Sequence, residues 1–203
     1  MEPDPTTDVQ VRMRCEEGDY AEAASVVIRR YGSEIMGLLA TLGPDDATAA
    51  DAYSLFCERV WRALSSFRFE ASTRTWAYVL ARRALVDACR AKRRGPALVP
   101  MSPSQLPDVV ERARSTTRPY LQTAHKHRLR ALREAMPADD QWLLVLRIDR
   151  ELPWTEIAKI MSEGEATDDE LRRTAAALRK RYQRAKARLT EQLSAEKATG
   201  EPG

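Results

Sequence analysis

Residues 46–64 read DATAADAYSLFCERVWRAL, and this stretch decides the fold of the first half of the chain. Its apolar residues fall in pairs four positions apart: Ala52/Tyr53, Phe56/Cys57 and Val60/Trp61, followed by Leu64. That spacing predicts an amphipathic helix of about five turns whose apolar pairs face a core. The opposite, polar face would show these residues to solvent: Asp51, Ser54, Glu58, Arg59 and Arg62.

A second helix is predicted before this stretch. Residues 19–42 carry apolar side chains at intervals of three and four. The pattern Asp19-x-x-Glu22 is a helix start signal, and Gly43-Pro44 is a stop signal. Residues 1–18 precede this helix and contain several acids, so we expect them to form an acidic N-terminal tail.

A third helix follows a short polar connection at residues 65–72. From Thr73, apolar residues recur at helical spacing until Gly95-Pro96 interrupts the pattern. We therefore expect residues 19–94 to form one small all-helical domain. Residues 95–122 contain five of the chain's eleven prolines together with several Ser and Thr, a composition typical of a flexible linker.

Residues 123–194 are expected to form a second small helical domain, followed by a C-terminal tail at 195–203. Pro153 opens a short helix, and Thr167-x-x-Glu170 is a capping-box signature for a long last helix with one apolar seam. Neither half of the chain shows a strand pattern. The predicted fold class is therefore all-α, with two small helical domains joined by a flexible linker.

Composition excludes several classes of protein. Hydrophobic residues make up 43% of the chain and charged residues 31%, which excludes wholesale disorder and collagen. No apolar run approaches the ~18 residues of a membrane span, so we expect a cytoplasmic protein without membrane insertion. Cys15, Cys57 and Cys89 lack the spacing of a disulfide framework or a zinc site and are interpreted as small core residues.

An enzyme is disfavoured. His125 and His127 lie two apart on a predicted helix, hence on different faces, and the chain has no Gly-rich phosphate loop or metalloprotease motif. Paired aspartates at 45–46, 139–140 and 168–169 resemble catalytic carboxylates, but each pair lies at a predicted helix start, where acids stabilise the helix dipole. We expect no catalytic residue, no metal and no cofactor.

Two stretches indicate nucleic acid as a partner. Residues 171–190 carry eight basic residues and no acid, and a short helix, a turn and a basic helix are typical of a helix-turn-helix motif. A solvated cationic face on a helical hairpin is the alternative. The third helix combines Trp76 with Arg82, Arg83 and a basic end at 90–94, which suits stacking of unpaired bases beside neutralised phosphates.

These residues resemble a known family. Residues 49–64, together with SSFRFEASTRTWAYVLAR at 65–82 and DACR at 87–90, are similar to conserved region 2 of bacterial RNA polymerase sigma factors of the extracytoplasmic-function (ECF) group. Met136-Pro137, residues 143–147, ELPWTEIA at 151–158 and RYQRAKARL at 181–189 resemble region 4. The order of the motifs matches the two-region layout of that group.

The resemblance implies three sets of contacts. Core polymerase would be bound through the clamp helices of its largest subunit by Asp51, Ser54, Leu55, Glu58 and Arg59, and through the flap of the second-largest subunit by region 4. The start-proximal promoter element would be melted and read by Phe67, Phe69, Ser72, Arg74, Trp76, Arg82, Arg83 and Arg90. The upstream element would be read by Arg172, Arg173, Thr174, Arg179, Lys180, Arg181 and Arg184.

The resulting hypothesis is a sigma factor that directs promoter-specific initiation, with an anti-sigma protein as a further partner that the family commonly has. One alternative is a helix-turn-helix regulator that binds duplex DNA without polymerase. Another is a sigma-like decoy or scaffold, because Ala50, Ser54 and Leu55 stand where the family usually has an acidic residue, Gln and Glu.

Overall fold

The computed structural model describes residues 5–94, 135–162, 164 and 166–199. The chain divides into two compact units, residues 1–118 and 119–203. Throughout the described ranges, the regular structure is helical and no residue lies in a strand. The all-α prediction is therefore confirmed. The predicted linker at 95–122 and the helix expected around residues 123–135, with His125 and His127, lie outside the described residues, apart from Ala135.

Four α-helices lie in the described part of the first unit, residues 5–94. They are α1 (Pro5–Glu16), α2 (Tyr20–Leu42), α3 (Asp46–Ala63) and α4 (Thr73–Arg94), with a single 3₁₀ turn (Leu64–Ser66) after α3. Helices α2, α3 and α4 pack against one another, and α1 packs against α2 and α4. The side chains that fill this core are Tyr31, Ile35, Leu38, Leu39, Tyr53, Phe56, Leu64 and Tyr78.

Local capping chemistry explains where these helices begin and end. Asp19 accepts a hydrogen bond from the Glu22 amide at 3.0 Å, and Asp45 accepts one from the Thr48 amide at 2.8 Å. The Gly43 amide donates to a carbonyl in the last turn of α2. Each bond satisfies a terminal backbone group that the helix itself leaves unpaired. The start and stop signals predicted for α2 are confirmed.

The close approach of α2 to α3 depends on a glycine. A Cβ atom added at Gly32 would lie 2.6 Å from the hydroxyl oxygen of Tyr53. Tyr53 is itself buried, as is its α3 neighbour Phe56. The absence of a side chain at Gly32 therefore lets a large aromatic residue fill the space between the two helices.

The N-terminal segment differs from the expected acidic tail, because residues 5–16 form α1. Val11 is fully buried and Thr7 nearly so, although the neighbouring residues Val9 and Met13 are exposed. Few apolar residues of α1 face the rest of the unit, so the segment shows little helical periodicity in the sequence. The acidic composition of this segment therefore does not indicate the helix that packs on the domain.

Trp61 corrects the predicted apolar face of α3. The helical spacing predicts that Trp61 faces the core together with Val60, but Val60 is fully buried whereas Trp61 is 48% exposed. Successive residues of a helix point about 100° apart, so the contact with neighbouring helices at this end of α3 buries Val60 and leaves Trp61 outside. Trp61 therefore adds a large aromatic side chain to the outward surface of α3.

The second unit contains three described α-helices, α5 (Ala138–Leu144), α6 (Trp154–Met161) and α7 (Asp168–Thr199), with a π-helical turn (Val145–Asp149) after α5. Helix α7 packs against both α5 and α6. The predicted capping box of α7 is confirmed, since the Thr167 amide donates to the Glu170 carboxylate at 2.8 Å and the Glu170 amide donates back at 3.4 Å.

The apolar seam of α7 is also present. Leu171, Ala175, Leu178 and Ala185 are buried. Tyr182 and Leu189 pack, partly exposed, against the cluster that contains Ala185. The remaining faces of α7 are left for charged residues. None of the described helices combines the length and apolar character that a membrane span requires.

Candidate nucleic-acid interface

Three aromatic rings gather where the connection after α3 meets α4. The ring centroids of Phe67 and Phe69 lie 4.4 Å apart, and those of Phe67 and Trp76 lie 4.6 Å apart with planes inclined by 21°. All three side chains are partly exposed. We call Phe67, Phe69 and Trp76 the aromatic cluster. It offers ring faces at the surface of the first unit, as stacking on nucleobases requires.

The backbone of this connection is held in an unusual conformation. Phe69 has a φ of +57°, in the left-handed region that a bulky side chain rarely adopts. At the start of α4, the Ser72 hydroxyl accepts from the Thr75 amide at 3.1 Å, and the Asp8 carboxylate accepts from the Thr73 amide at 2.8 Å. Two side chains, one from the connection and one from α1, therefore cap α4.

Helix α1 also contacts the aromatic cluster directly. The guanidinium carbon of Arg12 lies 4.9 Å from the ring centroid of Phe69. Such a distance is typical of a cation–π contact. The sequence placed Phe67, Phe69, Ser72 and Trp76 in one site, and the structure brings them together. It adds Asp8 and Arg12, which no sequence motif indicates.

Arg74 is placed differently from its predicted role in DNA binding. Arg74 is only 2% exposed, and its guanidinium donates to Glu34 at 2.5 Å. The Tyr78 hydroxyl donates to the same Glu34 oxygen at 2.6 Å. Burial by itself lowers the pKa of Arg74, but the hydrogen bond and charge of Glu34 outweigh it and raise that pKa. Arg74 therefore joins α4 to α2 inside the unit, and it is corrected from a DNA contact to a structural residue.

The cations further along α4 are more accessible. Arg83 and residues 90–94 are exposed, whereas Arg82 is partly buried. Arg90 lies 3.5 Å from Asp87, and Lys92 pairs with Asp45 at the start of α3. This basic end continues from the aromatic cluster along the same helix. It suits the phosphates of a strand whose bases reach the rings.

The predicted polymerase-binding residues lie on the outer part of α3. Asp51 and Ser54 are exposed, while Leu55, Glu58 and Arg59 are partly buried. Arg59 donates to Asp87 of α4 at 2.5 Å and so joins α3 to α4. Glu58 pairs with Arg62 at 2.7 Å along α3. The face is thus a mixed-charge surface with Asp51 at its N-terminal end.

In the second unit, most of the predicted cations of α7 are exposed. Exposed residues are Arg172, Arg173, Arg179, Lys180 and Arg184, whereas Thr174 is partly buried. Arg172 pairs with Asp169 at 2.9 Å within the first turn. Arg179 lies over the ring of Trp154 at 5.6 Å, and Arg147 lies over the same ring at 5.2 Å. The contact of Arg179 with Trp154 joins α7 to α6.

The contacts of Arg181 correct two expectations, namely that Arg181 reads DNA and that the aspartates at 139–140 only stabilise the start of a helix. Arg181 donates to Asp140 at 2.5 Å and to Asp139 at 3.4 Å, and Arg188 donates to the other Asp140 oxygen at 2.8 Å. The hydrogen bond that Arg181 donates to Asp140 raises the pKa of Arg181. Asp140 is only 2% exposed, so it does more than complement the dipole of α5. Arg181 joins helices, and it is not available as a base reader.

The described residues contain no group of three or more His, Cys, Asp or Glu side chains that could hold a metal ion. Cys15, Cys57 and Cys89 are free and partly buried rather than fully in the core. Burial raises the pKa of the Cys57 thiol to about 11. This thiol is therefore overwhelmingly protonated at neutral pH and a poor nucleophile.

Comparison with known proteins bears on the first unit. Residues 27–95 match the family model described as sigma-70 region 2. The matched segment runs from within α2 to the end of α4, and it includes the aromatic cluster and the outer face of α3. No curated protein is significantly similar to the chain.

Proposed function

We propose that the chain directs promoter-specific initiation as a small two-domain factor of the ECF group. The premise is the match of residues 27–95 to sigma-70 region 2, which supports a sigma factor of the sigma-70 family. The region 2 domain supports binding of core polymerase and promoter melting. The assignment to the ECF group, the reading of an upstream element and the residue roles below are our proposals.

The observation that carries the proposal is the aromatic cluster at the head of basic helix α4. Stacking of Phe67 on Trp76 at 4.6 Å leaves ring surface beside exposed cations. A base extruded from duplex DNA loses stacking worth a few kcal/mol, and aromatic side chains restore part of it. Arg83 and Arg90 would then follow the phosphates of the non-template strand, with Arg82 completing the basic surface.

Polymerase would bind the outer face of α3. We assign Asp51, Ser54, Leu55 and Glu58 to the clamp helices of the largest subunit, with Arg59 positioning this face through Asp87. The exposed side chain of Trp61 lies on the same helix, and buried aromatic residues are common energetic centres of protein interfaces. Polymerase affinity would therefore depend on α3 rather than on DNA contacts.

The second unit would read duplex DNA. Helices α6 and α7 pack together, and α7 carries exposed cations that suit the major groove and its phosphates. We assign Arg172, Arg173, Thr174, Arg179, Lys180 and Arg184 to the upstream element. The same unit would contact the flap of the second-largest polymerase subunit. We propose no catalytic activity or cofactor, a cytoplasmic location, and an anti-sigma protein as a further partner.

The basic surface of α7 also favours a second candidate, a helix-turn-helix regulator that acts without polymerase. A duplex-binding regulator would need only the second unit, whereas the sigma factor needs both. The two functions predict different dependence on polymerase, because a sigma factor gains its single-strand contacts only when the duplex is melted.

The deciding experiment is reconstitution with core RNA polymerase from the bacterium that encodes the chain. The tagged full-length protein should co-elute with core enzyme and yield discrete transcripts from a genomic promoter library. Tight duplex binding by the free protein, with no gain on adding polymerase, would instead establish the regulator. Polymerase binding without any transcript would identify a decoy.

A further inference from the structure

We propose that helix α1 is a positioning element for the aromatic cluster, with Asp8 and Arg12 fixing the connection that presents Phe67 and Phe69. The proposed effect of α1 on the conformation of the connection does not depend on the function of the protein. The consequence for DNA rests on the proposed function of the cluster.

The first step is the cap of α4. A helix leaves its first amides without partners, and a nearby side chain usually accepts from them. Here Ser72 accepts from the Thr75 amide, but the Thr73 amide is bound by Asp8, 65 residues earlier in the chain. The start of α4, where the connection ends, is therefore tied to α1 and not only to its own neighbours.

The second step is the contact between Arg12 and Phe69. Arg12 follows Asp8 by one helical turn, so both side chains leave the same side of α1. The Arg12 guanidinium lies 4.9 Å from the Phe69 ring, and Phe69 contacts Phe67 at 4.4 Å between centroids. Phe67 in turn stacks on Trp76. A continuous series of contacts thus runs from α1 to α4 through the cluster.

The third step is the strained backbone. A non-glycine residue with a positive φ persists where surrounding contacts determine its conformation. At Phe69, whose φ is +57°, those contacts include Arg12 on the ring and the doubly capped helix start that follows. Helix α1 is itself anchored, because Val11 is fully buried and Thr7 is 4% exposed. The anchored helix can therefore hold the connection in place.

The consequence for the site is preorganisation. Rings that are already stacked and fixed lose less freedom when a base binds, so affinity falls when the fixing contacts are removed. Asp8 and Arg12 are positioning residues in this scheme. They act by holding Phe69 and Thr73 in place.

The test compares four variants of the full-length protein: Asp8→Ala, Asp8→Asn, Arg12→Ala and the control Arg14→Ala. Asparagine caps a helix nearly as well as aspartate, so Asp8→Asn keeps the cap while removing the charge. Arg14→Ala removes the same charge as Arg12→Ala from the same helix, but Arg14 pairs with Glu17. Circular dichroism verifies that each variant retains its helical content.

The primary measurement is the rate of trypsin cleavage after Arg68, which lies exposed in the connection. Mass spectrometry follows this cut in each variant. We expect cleavage about fivefold faster in Asp8→Ala, the factor that corresponds to loss of a typical cap, and at least twofold faster in Arg12→Ala. Asp8→Asn and Arg14→Ala should cleave at the wild-type rate. If Asp8→Ala does not fold, Arg12→Ala carries the comparison.

A second measurement tests the consequence for DNA. Fluorescence anisotropy with labelled (dT)12 single strand should show an affinity about three- to tenfold weaker for Asp8→Ala and Arg12→Ala, because rings that are no longer fixed lose more freedom on binding. The affinity of Asp8→Asn should be unchanged. Unchanged cleavage in both Asp8→Ala and Arg12→Ala overturns the positioning role, whatever the DNA result. Altered cleavage with no binding of (dT)12 by the wild type upholds positioning and counts against the proposed single-strand contact.

Discussion

Arg181 and Asp140 are 41 residues apart in the chain, and their side chains meet at 2.5 Å between Nε and Oδ1. The second carboxylate oxygen of Asp140 accepts from Arg188 at 2.8 Å. A carboxylate that is almost completely buried thus has a cationic donor on each oxygen. The basic residues of α7 therefore divide into two that bind α5 and others that face solvent.

Asp140→Ala should destabilise the second unit more than Asp139→Ala. The first change removes the acceptor of two arginines, for which we expect a loss of about 1–3 kcal/mol, since both guanidiniums remain partly exposed and regain some hydration. Asp139 is 45% exposed and lies 3.4 Å from Arg181, so its loss should cost less than about 0.5 kcal/mol. Urea unfolding followed by circular dichroism measures both. Equal losses of unfolding free energy in the two variants would contradict a larger contribution of Asp140 than of Asp139.

Lys180→Ala and Arg181→Ala should separate DNA affinity from stability. Lys180 is exposed, so its removal should weaken duplex binding and lower the salt slope by about 1 if it contacts a phosphate. Arg181→Ala should instead lower the free energy of unfolding. Anisotropy titrations at several salt concentrations, with duplex selected by the polymerase complex, test the first effect, and urea unfolding tests the second. If Lys180→Ala keeps the wild-type salt slope, Lys180 does not contact a DNA phosphate.

Asp51→Arg should abolish co-elution with core polymerase while leaving the helical fold intact. Asp51 is exposed, and exposed substitutions usually change stability by less than about 0.5 kcal/mol. Glu16→Arg, an equal charge reversal at an exposed position of α1, is the matched control and should retain binding. Gel filtration of each variant with core enzyme gives the readout. Retained co-elution of Asp51→Arg would refute the assignment of this face.

The contribution of Asp45 should depend on pH. The hydrogen bond from Lys92, with those from Thr48, lowers the pKa of Asp45 from 3.8 to about 2. A carboxyl group whose pKa is lower in the folded state stabilises the fold above its unfolded pKa of about 4 and loses this effect as the pH falls from about 4 towards 2. The wild type should therefore be more stable than Asp45→Asn at pH 6. Urea midpoints from pH 6 to 2.5 should converge, and a constant difference would contradict the shift.

The parts of the fold that the sequence predicted are those with local signals. The start of α2 at Asp19 and the reciprocal bonds of Thr167 and Glu170 involve residues three apart, so the pattern contains both partners. The buried stripe of α3 follows similarly from helical spacing. Residue type and separation along the chain were sufficient at these positions.

The structure differs from the sequence prediction where the contact partner of a residue is distant in the chain. Arg74 resembles other surface arginines until Glu34, 40 residues earlier, is found beside it. Arg181 is one of a run of cations, and nothing local marks it as the one that reaches Asp140. Trp61 was misplaced for another reason, because periodicity does not define how wide a helix contact is. Predictions of which arginines meet DNA therefore need the tertiary contacts.

The bond between Asp8 and Thr73 has a consequence for how the first unit is made. Ribosomes add ~5–20 residues per second, so roughly 3–13 s separate the synthesis of these two residues. During that interval, the nascent chain contains α1 but not the amide that its carboxylate will bind. The N-terminal helix therefore gains its bond to α4 only after Thr73 has been synthesised, and α1 can fix the connection no earlier than that.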